Sequence, residues 1–199
     1  MQDEKPLSEQ ESLDLITKMI NKAKCDYRDT GVGALLWGSV ITFCSLVAFL
    51  DSFLDIPYAG YVWYLTFAAI VPQVIISVRH SRQKKFTSYS DDAMGSIWLS
   101  FGIGVALFFL YANVFGADIP APTTIFLIAY GFPTFATGYA RRFKPMIIGG
   151  IACWVFAVAN MFTPIQYSML YSAVAAQLAW FIPGLILRKR YLKAKRGNV

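Results

Sequence analysis

The residues that could do chemistry in this chain are few and scattered. His80 is the only histidine, and a single imidazole supplies neither a bis-histidine haem site nor a zinc triad. Asp91 and Asp92 invite comparison with membrane transferases that hold magnesium-bound pyrophosphates, but such sites need further carboxylates at helical spacing, and none follows here. With Ser90 ahead of them and an apolar segment opening near Gly95, the pair reads as a helix cap. Cys25, Cys44 and Cys153 stand singly, without C-x-x-C spacing, which supports neither a disulfide framework nor a metal cage. P-loop, G-x-S-x-G, H-E-x-x-H and dinucleotide fingerprints are absent. The expectation is a chain without catalytic residues, cofactor or metal.

What remains is polar, uncharged and inside apolar runs. Gln177 is the deepest, about 16 Å along a helix from Arg188. Its amide must find a partner in the bundle or water in a cavity. Gln73 and Thr134 are the companion intramembrane polar contacts, each directly after a proline. Pro72, Pro133 and Pro183 each free a carbonyl four residues earlier and are candidate kinks. Such groups can bond one helix to another or line a solute path. Asn113 and Asn160 read as caps or interfacial contacts. Within the core of every proposed span there is no Asp, Glu, Lys, Arg or His, which argues against a proton- or cation-driven transporter.

The elements that position these residues follow from composition. A chain of 199 residues that is 56% hydrophobic and 15% charged is too apolar for an ordinary soluble domain. The fold class expected is all-α: six transmembrane helices arranged as three hairpins, preceded by an amphipathic helix. About 20 apolar residues span the hydrocarbon layer. Segments meeting that standard run about Gly33 to Leu54, Gly60 to Val78, Gly95 to Phe115, Thr123 to Ala140, Met146 to Thr163 and Gln166 to Leu187. The fifth is the shortest. Each even-numbered span carries its proline shortly before a basic stop, and the odd spans echo one another in Gly and Trp, which suggests a parallel repeat of one hairpin.

Charge sets the orientation. All 18 Lys and Arg residues lie on one side of the pattern, whereas the opposite connections hold only Asp51, Asp55 and Asp118. Both termini should therefore face the cytoplasm. Tyr58, Tyr61, Trp63 and Tyr64, with Tyr167 and Tyr171, mark the external edge, and Trp37 and Trp98 the cytoplasmic one. The net charge of +6 then reads as orientation and contact with anionic headgroups through Arg79, Arg82, Lys84, Lys85, Arg141, Arg142, Lys144, Arg188, Lys189 and Arg190, rather than as nucleic-acid binding. No cleavable signal precedes the first span, which reads as an uncleaved anchor.

The arm, residues 1–30, has its own pattern. Ser8 and Glu11 have capping-box spacing. Leu13, Ile16, Ile20, Ala23 and Tyr27 then recur at steps of three and four over about 8–28, the stripe of an amphipathic helix. That stripe suits the headgroup region or the underside of the bundle, or else a docking partner or a second copy of the chain, since it also fits a short a/d seam. Residues 188–199 form a basic tail.

The run from Ser12 to Asn21, leading into Gly31-Val32-Gly33-Ala34-Leu35-Leu36-Trp37-Gly38-Ser39, resembles the opening of a group of small, uncharacterised multi-span bacterial inner-membrane proteins. That resemblance implies six spans in a bacterial cytoplasmic membrane and transfers no site residues. The three-hairpin layout is also similar in architecture to acid-resistance membrane proteins of the HdeD type. The functional expectation is a non-enzymatic membrane component acting through cytoplasmic protein or lipid partners. The alternatives are a facilitator of a small neutral or apolar solute and, more remotely, a lipid-modifying enzyme.

Overall fold

The computed structural model describes residues 8–10, 12–14, 30–83, 89–115 and 122–196, without the side chains of 80–92, 115 and 195. Its elements are helices, with no strand among the described residues. Helix α1 spans Val32–Leu54. A 3₁₀ turn at Ala59–Trp63 leads into α2, Tyr64–Gln83. Helix α3 covers Tyr89–Phe115, α4 Pro122–Ala140 and α5 Lys144–Met161. A second 3₁₀ turn at Ile165–Tyr167 opens a continuous helical run: α6, Ser168–Ala176, a π-helical turn at Gln177–Phe181, and α7, Ile182–Arg196.

Five of these runs are long and apolar enough to cross a membrane: 32–54, 59–79, 93–114, 144–161 and 165–194. The chain therefore has the build of a membrane protein. The expected segment outside this set is the fourth, now α4, and not the short fifth. The reason is its contact surface. Thr123, Thr124, Thr134, Thr137, Gly131, Gly138 and Pro133 are all buried, so α4 faces protein over much of its circumference and has less need of apolar side chains. It packs most extensively on α5, while the α6–α7 run packs on α1 and α5; α2 leans on α1 and α3 leans on α4.

Small residues let these backbones approach, as helix packing in lipid demands. A Cβ at Gly149 of α5 would lie 2.5 Å from Cα of Ala179, and one at Gly38 of α1 would lie 2.7 Å from the backbone N of Phe181. Gly31 has a second reason to be glycine. Its φ is +70°, and a Cβ there would meet the Gly184 carbonyl at 2.5 Å. The start of α1 is thereby pinned beside the basic end of α7, at Leu187 and Arg188.

Turns close both ends. Asp55, with φ 48°, ends α1, and the Asp51 carboxylate accepts the Ile56 N–H at 2.9 Å. Between α4 and α5, Arg142 adopts φ 49° while the Phe143 N–H returns to the Gly138 carbonyl at 2.8 Å. The basic stretch from Arg188 continues α7 as far as Arg196. Arg, Lys, Leu and Ala are strong helix formers, and Gly197 is the first residue to oppose them.

Candidate functional site

Gln177 starts the π turn. Pro183 has no N–H and its ring would collide with the Ala179 carbonyl in a regular helix. The chain widens instead, and the Ile182 N–H bonds the Gln177 carbonyl, five residues back. A π turn of this kind often marks a special site. Here it aims the Gln177 amide at α1, where Nε2 donates to Thr42 Oγ1 at 2.9 Å. Ser45 Oγ donates to Ser172 Oγ at 3.1 Å on the same seam, and Cys44 Sγ donates to the Val62 carbonyl at 3.3 Å. Gln177 is half-buried, and the Gly38 and Gly149 contacts close the bundle on both sides of the π turn.

Thr134 is wholly buried. Its hydroxyl donates to the Tyr130 carbonyl at 2.8 Å and accepts the Trp180 indole N–H at 3.3 Å. One turn on, Thr137 accepts the Trp98 indole N–H at 3.0 Å. The rings of Trp98, Tyr130, Trp180 and Phe101 pack around these hydroxyls, with the Trp98 and Trp180 centroids 4.7 Å apart and 82° between planes. At that spacing the rings touch edge to face and leave no room between them for a solute. Sequence reasoning set Trp98 at the headgroup level and passed over Trp180. Each indole finds an acceptor in a threonine of α4, that of Trp98 four residues before Arg141.

Pro133 and Pro183 are buried and Pro72 is half-buried, all three inside helices that continue past them. Gln73 lies against Gly33 of α1, and its Oε1 is buried without a hydrogen-bond partner. Gln73, Thr134 and Gln177 therefore sit on separate helix pairs and do not converge. Asn160 proves to be an interhelical contact, since it is buried and its Nδ2 donates to Thr124 Oγ1 at 2.8 Å; Asn113 donates to the Phe109 carbonyl of its own helix. A groove of about 940 Å³ runs between α3 and α4, and of the candidate polar and proline residues it touches Pro133 alone, with Phe101 of the ring cluster also in its wall.

The described cations gather at one end of the bundle. Arg190 lies over the buried Phe143 ring at 5.2 Å, which joins the α7 terminus to the Arg141–Lys144 turn, and Arg188 covers its own Tyr191 at 5.7 Å. Arg79, Arg142, Lys144, Lys189 and Arg190 are exposed, whereas Arg141 and Arg188 are half-buried. Lys84, Lys85 and the side chain of Arg82 lie outside the described residues, as do the side chains of His80, Asp91 and Asp92. So do Ile16, Ile20, Ala23 and Tyr27 of the proposed docking face; Leu13 is exposed in a short helical stretch. At the opposite end Tyr58, Tyr61 and Tyr64 stack in an exposed ladder with centroids 5.8 Å apart, and Phe49, Phe53 and Tyr167 form a second aromatic group. No group of three or more His, Cys, Asp or Glu side chains able to hold a metal occurs among the described residues.

Comparison of the chain with protein-family models, with curated proteins and with solved structures finds no match in any of the three, so the functional reading rests on the chain's own chemistry.

Proposed function

We propose that this protein is a non-enzymatic component of a bacterial cytoplasmic membrane. Six helices in three hairpins anchor it with both termini inside, and it works through lipid or protein partners at its basic end. The observation that carries the reading is the contrast between interior and end. Polar side chains deep in the spans bond neighbouring helices, as Gln177 does with Thr42, Ser45 with Ser172, and both indoles with Thr134 and Thr137. The exposed cations stand together at one end, where an anionic leaflet or an acidic partner would meet them. Juxtamembrane cations contribute about 1 kcal/mol each at such a surface. The arm, read as an amphipathic helix, adds the partner-facing element.

The test compares the full chain with a form lacking residues 1 to 28, both reconstituted in nanodiscs of neutral or anionic lipid and used to capture cytoplasmic proteins. The expected result is partner capture by the full chain alone, with both forms inserted and equally stable. Equal capture by the two forms would count against a role for the arm. Proteoliposomes that swell in neutral solutes faster than empty ones, and lose that swelling in a Gln177→Leu variant, would favour the facilitator instead.

A further inference from the structure

We infer that the groove between α3 and α4 seats an acyl chain of an anionic phospholipid drawn from the leaflet at the bundle's basic end. The inference deepens the proposed reading and rests on it. On α3 the wall is Ser96, Ser100, Gly104 and Phe108, one residue per turn, and on α4 it includes Ala129 and Phe132. From Ser96 to Phe108 the wall is about 18 Å long at the helical rise. One leaflet is about 15 Å deep, half of the hydrocarbon layer.

The two ends of the groove differ. At its far end, about one turn from the start of α4, Phe126 meets Phe108 at 5.2 Å and Phe109 at 5.7 Å, so aromatic rings bound it there. Its near end carries the serine hydroxyls and lies about one and a half turns of α4 from Arg141 and the exposed Arg142. An apolar groove about 18 Å long, bounded by rings at one end and with cations beyond the other, complements a single acyl chain bearing an anionic headgroup. A second copy of the protein lying parallel would bring its own cations to this mouth, a clash of charge that an anionic headgroup does not have. Gly104 leaves the floor open, since a Cβ there would meet nothing within 4 Å.

The probe is phosphatidylglycerol or phosphatidylcholine bearing a diazirine on one acyl chain, in nanodiscs holding the full chain, with adducts mapped by peptide mass spectrometry. Adducts on 96–108 and 125–136 should be favoured by phosphatidylglycerol by about fivefold for each cation at the mouth. Adducts at Phe67 and Val71, exposed on α2, should not distinguish the lipids. Gly104→Trp should remove the groove adducts, Ser100→Phe serving as a second block should the first variant misfold, and a combined Arg141→Gln and Arg142→Gln change should remove the headgroup preference. Equal labelling by both lipids, or labelling that survives both blocks, overturns the proposal. So does efficient disulfide cross-linking between copies through Gly104→Cys, which would place a second copy in the groove. If the labelling test fails while the full chain still captures partners, the groove alone has failed and the wider reading stands.

Discussion

The hydrogen bond from Gln177 to Thr42 separates an anchor from a pathway, and a double-mutant cycle reads it directly. Thr42→Val removes the acceptor with little change of shape, and Gln177→Leu removes the donor. Each single change leaves one half-buried polar group unpaired, at a cost of about 1 kcal/mol. Removing both partners relieves that penalty, so the double variant should lie within about 0.5 kcal/mol of the parent, because apolar replacement of a bonded pair is nearly neutral. The coupling should then be about 1.5–2 kcal/mol, well above the average of about 0.6 for interhelical bonds in lipid and close to the ceiling of about 1.7. Both residues face each other at 2.9 Å across α1 and the π turn. Unfolding in mixed micelles, followed by the fluorescence of the five tryptophans, measures all four corners. Strict additivity within about 0.3 kcal/mol would show that the bond does not tie the helices, and the reasoning that assigns Gln177 to packing would fall with it.

Two glycines should respond in opposite directions. Gly149→Ala forces a methyl against the Ala179 backbone at 2.5 Å and should destabilise by about 1–3 kcal/mol, whereas Gly104→Ala projects into open space and should range from neutral to about 1 kcal/mol more stable. Equal effects in the same unfolding assay would refute the packing described for α5 and the π turn. At the α4–α5 turn, Arg142→Gly relieves a left-handed conformation of φ 49° and should stabilise by about 1 kcal/mol while weakening binding to anionic vesicles about fivefold. Arg142→Lys should do neither, and matched responses of the two variants would show that strain and charge are not the separate terms described.

The helices were legible in the sequence because each apolar run is long, bounded by charges or turn residues, and unbroken by ionisable groups. What sequence reasoning ranked wrongly was apolarity itself. It took shortness as the weak sign and pointed to Met146 to Thr163, yet the helix below the spanning standard is Pro122–Ala140, whose buried threonines and glycines are the mark of a face packed on protein. Pro183 pointed to an irregularity, but a proline alone does not distinguish a kink from a π turn; that depends on whether neighbours accept the widened backbone, as Gly38 and Gly149 do here. The partners of the two indoles could not be read from spacing. Trp98 and Thr137 are 39 residues apart, and Trp180 and Thr134 are 46 apart, so their pairing exists only once α3, α4 and the π turn are brought together.

The unpaired acceptors in the bundle bear on where function can reside. An internal polar path requires such groups to converge, because each buried acceptor otherwise costs about 1–3 kcal/mol with nothing gained by its neighbours. Gln73 Oε1 and Asn160 Oδ1 are both buried without partners, but they do not converge. Gln73 meets Gly33 at the start of α1, the basic end. Asn160 meets Thr124 where α4 begins, at the opposite end. Between them lie the edge-to-face rings of Trp98 and Trp180 and the backbone contacts of Gly38 and Gly149. Each acceptor calls for one bound water at most, which buried polar sites commonly hold, and the two cannot share a file of them. On the proposed reading, selectivity is expressed at the ends and along the flanks, where exposed cations and the α3–α4 groove offer charge and shape.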